Sequence, residues 1–171
     1  LQREYPQAYD RIRRHFQAAV TDADDIGIVQ VGGYLIAQVL RKREGGRAAF
    51  DLGQESDGTL RLLALFTALF QEPPLAVVGI EEPELNIYPE ELTVLKGAFD
   101  LVSRQTQVLV VTHSPDLLDG LPPESFRVVE MRNGVTQAGP IASYQQEAIR
   151  EHLFTPSELF RIEELRRKDA S

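Results

Sequence analysis

The sequence has no cysteine, one methionine and only three lysines, Lys42, Lys96 and Lys168. Without cysteine there is no disulfide and no thiolate metal site, which suits a cytoplasmic protein held together by its core alone. No apolar run approaches the roughly 20 residues that span a bilayer, so no membrane segment is expected. The first twenty residues are polar and carry both charges, unlike a signal peptide. Internal repeats and low-complexity stretches are also missing. Basic residues are in deficit: Lys and Arg total 18 against 26 Asp and Glu, for a net charge of −8 and a pI near 4.9. That balance argues against a general nucleic-acid-binding surface and leaves room for a local basic patch.

What is present suits one domain: 171 residues, 43% of them hydrophobic, enough for a real core. The chain opens at Leu1, so the expectation is a piece of something longer. Its centre is Leu75 to Glu84, LAVVGIEEPE. So apolar a run reads as a strand buried on both faces, as in a central parallel sheet. It ends in paired acids, which repel and resist desolvation unless something uses them. Ligands of open α/β sheets sit just beyond the carboxyl ends of strands. Glu81 and Glu82 therefore stand where a metal–phosphate site is expected. A second buried strand, Gln107 to Thr112, ends at His113, which occupies the matching position before Ser114 and Pro115.

Elsewhere the pattern alternates between helix and hairpin. Tyr5 to Val20 carries a helical stripe of Ile12, Phe16, Ala19 and Val20. Asp22 to Asp25 reads as a plain acidic turn. Ile26 to Arg41 and Arg47 to Leu52 read as an antiparallel pair joined at Glu44-Gly45-Gly46, with Gly32-Gly33 marking a bulge or a break in the first strand. Ser56 to Phe70, SDGTLRLLALFTALF, begins with cap residues and continues as a largely buried helix. Its hydroxyl, glycine and free N–H groups could accept an anion or simply cap the helix. Glu90 to Ser103 is amphipathic. Phe126 to Met131 and Val135 to Ala138 flank an Asn133-Gly134 turn. Tyr144 to His152 reads as a helix, and a last helix begins at Thr155-Pro156. Arg166-Arg167-Lys168-Asp169 is expected as its charged end, with nucleic-acid contact as the minor reading.

Three stretches stand in order: Ser56-Asp57-Gly58-Thr59-Leu60-Arg61, VVGIEEPE and VVTHSP. Together they resemble the second half of an ABC-class ATPase head, nearest the bacterial ATPases with an AAA-type core, relatives of chromosome-maintenance and recombination ATPases. The resemblance implies an α/β fold, the C-terminal part of a P-loop NTPase domain. It also implies one partial ATPase domain over 1–171, with a helix-and-hairpin region at 1–52 and the motifs in 53–171. Under it, Ser56 and Gly58 belong to the signature that touches the γ-phosphate of ATP held by a partner subunit. Glu81 helps hold Mg²⁺, Glu82 is the catalytic base, Pro83 to Pro89 is the interface loop, and His113 is the switch histidine. The implied assembly is a nucleotide-driven homodimer with DNA as a candidate partner, in DNA maintenance or defence. Asp57 and Thr59 depart from the usual Gly and Gln, and Glu81 from the usual Asp.

A P-loop needs Gly-x4-Gly-Lys followed by Ser or Thr. Gly27 to Gly32 and Gly53 to Gly58 have the glycine spacing without the lysine. The expectation is that the P-loop lies upstream or on another chain, leaving these residues inactive by themselves. Two other readings stand beside this one: a metal-dependent nuclease using Glu81, Glu82, Glu84 and His113, and a non-catalytic interaction module on an ATPase-like fold.

Overall fold

A computed structural model describes residues 4–168. The chain divides into two compact units, Leu1–Thr112 and His113–Ser171.

The first unit opens with α1 (Pro6–Ala19), which starts on a proline and buries Ala8, Ile12, Phe16 and Ala19 along one stripe. This stripe packs against α2 (Asp57–Phe70) and α3 (Pro89–Val102). The three helices enclose Leu62, Phe66, Leu95 and Ala98, each essentially inaccessible. The Tyr9 hydroxyl donates to the Ile26 carbonyl and ties α1 to the first strand.

The long apolar stretch expected as one strand from Ile26 to Arg41 is instead two. β1 (Ala23–Val31) and β2 (Tyr34–Arg43) pair antiparallel, and β3 (Gly46–Asp51) follows on β2. Gly32-Gly33 is a two-residue reversal, with Val31 opposite Tyr34 and Gly32 at φ +60°. That left-handed backbone is accessible to glycine without steric cost, so the pair turns the chain instead of bulging it.

Asp22, Asp24 and Asp25 are acceptors for basic side chains. Arg41 reaches Asp22, Arg47 reaches Asp24, and Arg13 approaches Asp25 at 4.0 Å. Arg41 also clamps Glu55, whose side chain is 2% exposed, with its own Nε 3.1 Å from Oε1. The Glu55 carboxylate is the leading cause holding the Arg41 guanidinium above its ordinary pKa. Removing Arg41 would strand a buried carboxylate. Arg41→Ala should therefore cost about 3–5 kcal/mol, read as a lower urea midpoint with an unchanged m-value. Arg41→Ala with Glu55→Gln should recover part of it.

β4 (Val77–Glu81) and β5 (Gln107–Val111) form a two-stranded parallel sheet, with Glu81 opposite Val111. The expectation of burial on both faces is not met. Val78 is buried and Ile80, Val108 and Val110 are half-buried, whereas Val77, Leu109 and Val111 on the other face are each about half exposed or more. Strand side chains alternate between faces, and only one face of this sheet is covered.

The second unit has its own core of Leu118, Phe126, Ile141, Ile149 and Leu159. Ser114 caps a single 3-10 turn, Pro115–Leu117. β6 (Val128–Arg132) and β7 (Val135–Gly139) pair across Asn133 and Gly134, both with positive φ as the type I′ turn demands. α4 (Ser143–Arg150) and α5 (Pro156–Glu163) complete the unit, α5 starting on a Thr155–Glu158 capping box. The expected basic helix end is not helical. Glu164 has φ +60°, which stops α5, and the chain then runs extended beside the hairpin, with Arg167 bridged to Ile141. Asp169 lies outside the described residues.

Candidate functional site

Ser56 is the N-cap of α2. Its Oγ accepts from the Thr59 N–H at 3.2 Å and lies 2.9 Å from Thr59 Oγ1. Asp57 sits exposed in the first turn, where the helix dipole favours a carboxylate. Gly58 is buried for a steric reason. A Cβ built there would meet the Asn86 carbonyl oxygen at 2.2 Å, so the start of α2 lies directly against the loop that follows β4.

That loop, residues 82–88, makes its own turns. The Glu82 N–H donates to the Val111 carbonyl at 2.7 Å, and Leu85 and Ile87 donate back to Glu82 and Glu84. Glu82 has φ +44° and Asn86 φ +61°. A non-glycine left-handed residue is uncommon, and one immediately before a proline is more so. Such backbone persists where neighbours over-determine it, often at functional positions.

Arg61 is the neighbour that does so. Its guanidinium donates to three consecutive carbonyls: Glu81 at 3.1 Å, Glu82, and Pro83 at 3.4 Å. One cation thus binds the first turns of α2 to the end of β4. Glu81 is exposed on the uncovered face of the sheet and Glu82 is half-buried. Glu84 accepts from Thr112 Oγ1 through one oxygen, while its Oε2 is buried with no partner among the described residues.

Four of the five expected site residues, Ser56, Gly58, Glu81 and Glu82, therefore share one local assembly. His113 is exposed and opens the second unit, two residues after the end of β5. Sequence reasoning passed over Arg61 as a positioning group and Asn86 as the reason for a glycine. Arg61 carried a signal: it is the only basic residue in α2, set among leucines on a mostly apolar helix.

Mg²⁺ bound to nucleotide usually takes one or two carboxylates and completes its shell with phosphate oxygens and water. The exposed Glu81 carboxylate fits that modest demand. A nuclease metal cage would ask for more. Among the described residues no group of three or more His, Asp or Glu is arranged to hold a metal.

A family model described as "AAA domain, putative AbiEii toxin, Type IV TA system" matches residues 5–119. Among solved structures, the chain is similar to one from work on ATP-driven dimerization and DNA-stimulated activation of SMC ATPases. There the identity is 13% and the TM-score 0.64, covering 89% of this chain and 94% of that one. It is similar to an Smc head bound to the C-winged helix domain of ScpA, at 15% identity and TM-score 0.65, over 86% of this chain and 46% of that one. A third is the Smc head domain with an extended coiled coil bound to the C-terminal domain of ScpA, from Pyrococcus furiosus. It shows 15% identity and TM-score 0.63, over 89% of this chain and 39% of that one. The chain thus spans less than half the length of the last two, and likeness at these identities establishes the fold. Among curated proteins nothing matches.

Proposed function

The chain belongs to this AAA-domain family, and from that premise we propose that its residues form the signature and Walker B half of an ATPase head that works as a nucleotide-driven dimer. The observation that carries the reading is the joining of Ser56–Gly58 to Glu81–Glu82 through Arg61 and the Asn86 carbonyl. Phosphoryl transfer is mostly positioning and charge stabilisation, and a signature locked to the acids beyond β4 moves with them as one body.

In this reading Glu81 holds Mg²⁺ and Glu82 orients and deprotonates the attacking water. Mg²⁺ supplies neutralisation of the phosphate charge when bound. The Ser56 hydroxyl, which accepts the cap bond from Thr59, keeps its own proton for a γ-phosphate oxygen. The first-turn N–H groups of α2 add to that contact. His113 donates to the γ-phosphate of the ATP held by its own head, while Ser56 reaches the one held by the other head. Residues 83–89 cross to the second head, ATP binding closes the two heads, and hydrolysis reopens them. DNA is the proposed partner, in maintenance or defence, and the cytoplasm the proposed compartment. Among the described residues no helix is long and apolar enough to cross a membrane.

The P-loop is supplied from outside these 171 residues. Support comes from β4 and β5: apart from Glu81 and Gln107 their sequences are apolar, parallel sheets are ordinarily covered on both faces, and Val77, Leu109 and Val111 are exposed. The expected result is that these residues alone bind ATP weakly and release no phosphate, while a polypeptide joining them to a P-loop hydrolyses it. Tight stoichiometric ATP binding by the 171 residues in calorimetry would overturn the assignment.

A further inference from the structure

The Glu82 carboxylate is half-buried, and among the described residues it makes no hydrogen bond or ion pair. With nothing holding its far end, the direction of its Cα–Cβ bond decides where it reaches. That direction is set by the turn Glu82-Pro83-Glu84, in which Glu82 has φ +44°. Arg61 holds the turn from α2 through the carbonyls. A second hold comes from the end of β5.

Val111 and Thr112 are consecutive. The Val111 carbonyl accepts from the Glu82 N–H at 2.7 Å, and the Thr112 hydroxyl donates to Oε1 of Glu84. Pro83, fully buried, stands between the two held residues. The end of β5 therefore grips the turn on both sides of its proline. Glu84 is half-buried and its Oε2 is enclosed, with no partner among the described residues. The Thr112 hydroxyl is thus the one donor, among those residues, to the Glu84 carboxylate. An enclosed carboxylate oxygen without a donor is costly, so the side chain stays inward only because Thr112 answers its other oxygen. The enclosed oxygen also has no open side to offer a metal ion.

We infer that Glu84 and Thr112 form a clasp that aims Glu82. Glu84 is a positioning residue for hydrolysis, acting through the turn and touching neither nucleotide nor metal. The inference rests on Glu82 being the base, and the clasp lies wholly within the Leu1–Thr112 unit. Without the Thr112 hydroxyl both oxygens of Glu84 lack a donor. The side chain then swings out to water, the turn follows it, and the Glu82 carboxylate leaves the attacking water. Misplacing a reacting group by about 1 Å costs on the order of 10²-fold in rate.

The test is steady-state phosphate release by the ATPase that joins these residues to a P-loop, with thermal midpoints measured alongside. Thr112→Val keeps the size of the side chain and removes the donor. It should lower kcat by about 10–100-fold at unchanged KM for ATP. Thr112→Ser restores the hydroxyl and should restore most of the rate. Glu84→Gln keeps an oxygen for Thr112 and should lose far less than Glu82→Gln. Thr112→Val with Glu84→Leu leaves no enclosed polar group unpaired, so it should fold even where a single variant does not. Its kcat should stay low, yet no lower than that of either single variant, because both act on one contact. Wild-type kcat in Thr112→Val or in the double variant, with Glu82→Gln inactive, would overturn the clasp and leave Glu82 as the base. An equal loss in Thr112→Ser would also overturn it, as would a loss in Glu84→Gln as deep as in Glu82→Gln. Wild-type turnover by Glu82→Gln would remove the base itself, and the clasp with it.

Discussion

Glu82→Gln, placed in an ATPase that joins these residues to a P-loop, should lower phosphate release by about 10²–10⁴-fold, the usual contribution of a positioned general base. Glutamine keeps the size and hydrogen-bonding reach of the side chain and loses its basicity. Nucleotide binding should persist, and the heads should accumulate as an ATP-bound dimer in size-exclusion chromatography. The backbone makes a second variant informative. Glu82 holds φ +44° between the Val111 carbonyl and the Arg61 guanidinium, a conformation that costs a non-glycine residue about 1–3 kcal/mol. Glu82→Gly should relieve that cost and raise the thermal midpoint while abolishing hydrolysis. A position where the native residue lowers stability is one retained for chemistry. Rapid turnover by Glu82→Gln would remove Glu82 from the base role. A lower midpoint in Glu82→Gly would remove the strain argument and leave the first result standing.

The local elements were legible because each was written in short-range terms. Ser56 as a cap, Pro89 and Pro156 at first helical positions and Asn133-Gly134 in a primed turn all depend on backbone preferences within a few residues. The parallel pairing of β4 with β5 followed from two apolar runs separated by a helix. The misread features depend on partners distant in sequence. Apolar runs report what a strand is built to be covered by, and the uncovered face of Val77, Leu109 and Val111 departs from that report. Gly32-Gly33 fitted a bulge or a break in one strand, and only the register of β1 on β2 makes it a hairpin turn. The basic residues after α5 looked helical by continuity. The hydrogen bonds of Arg166 and Lys168 to the Pro140–Ala142 backbone win instead. At the candidate site, residue types were legible and their arrangement was not. Nothing in the order of residues says that Arg61 spans to three carbonyls beyond β4, or that Asn86 lies against Gly58.

Gly58→Ala tests that arrangement without any nucleotide. The added methyl would stand 2.2 Å from the Asn86 carbonyl oxygen, inside any permitted contact, and the obstacle is backbone. Neither side yields easily. α2 is fixed by the buried Leu62 and Phe66, and the loop by buried Pro83 and the Arg61 hydrogen bonds. Forced overpacking of this kind costs about 1–3 kcal/mol, which for a chain of this size lowers the thermal midpoint by roughly 2–12 °C. If Gly58 served only to admit a phosphate, the nucleotide-free chain would melt at the wild-type temperature. Adding Asn86→Gly separates the causes further. The carbonyl stays, but glycine takes φ +61° freely and lets the loop back away from α2. The double variant should therefore regain part of the lost midpoint. It should not regain the activity of the joined ATPase, because the loop that backs away carries with it the register between Ser56 and Glu82. An unchanged midpoint in Gly58→Ala would mean that the close approach of α2 to the loop does not exist in solution, and the joining of signature to acids would fail with it.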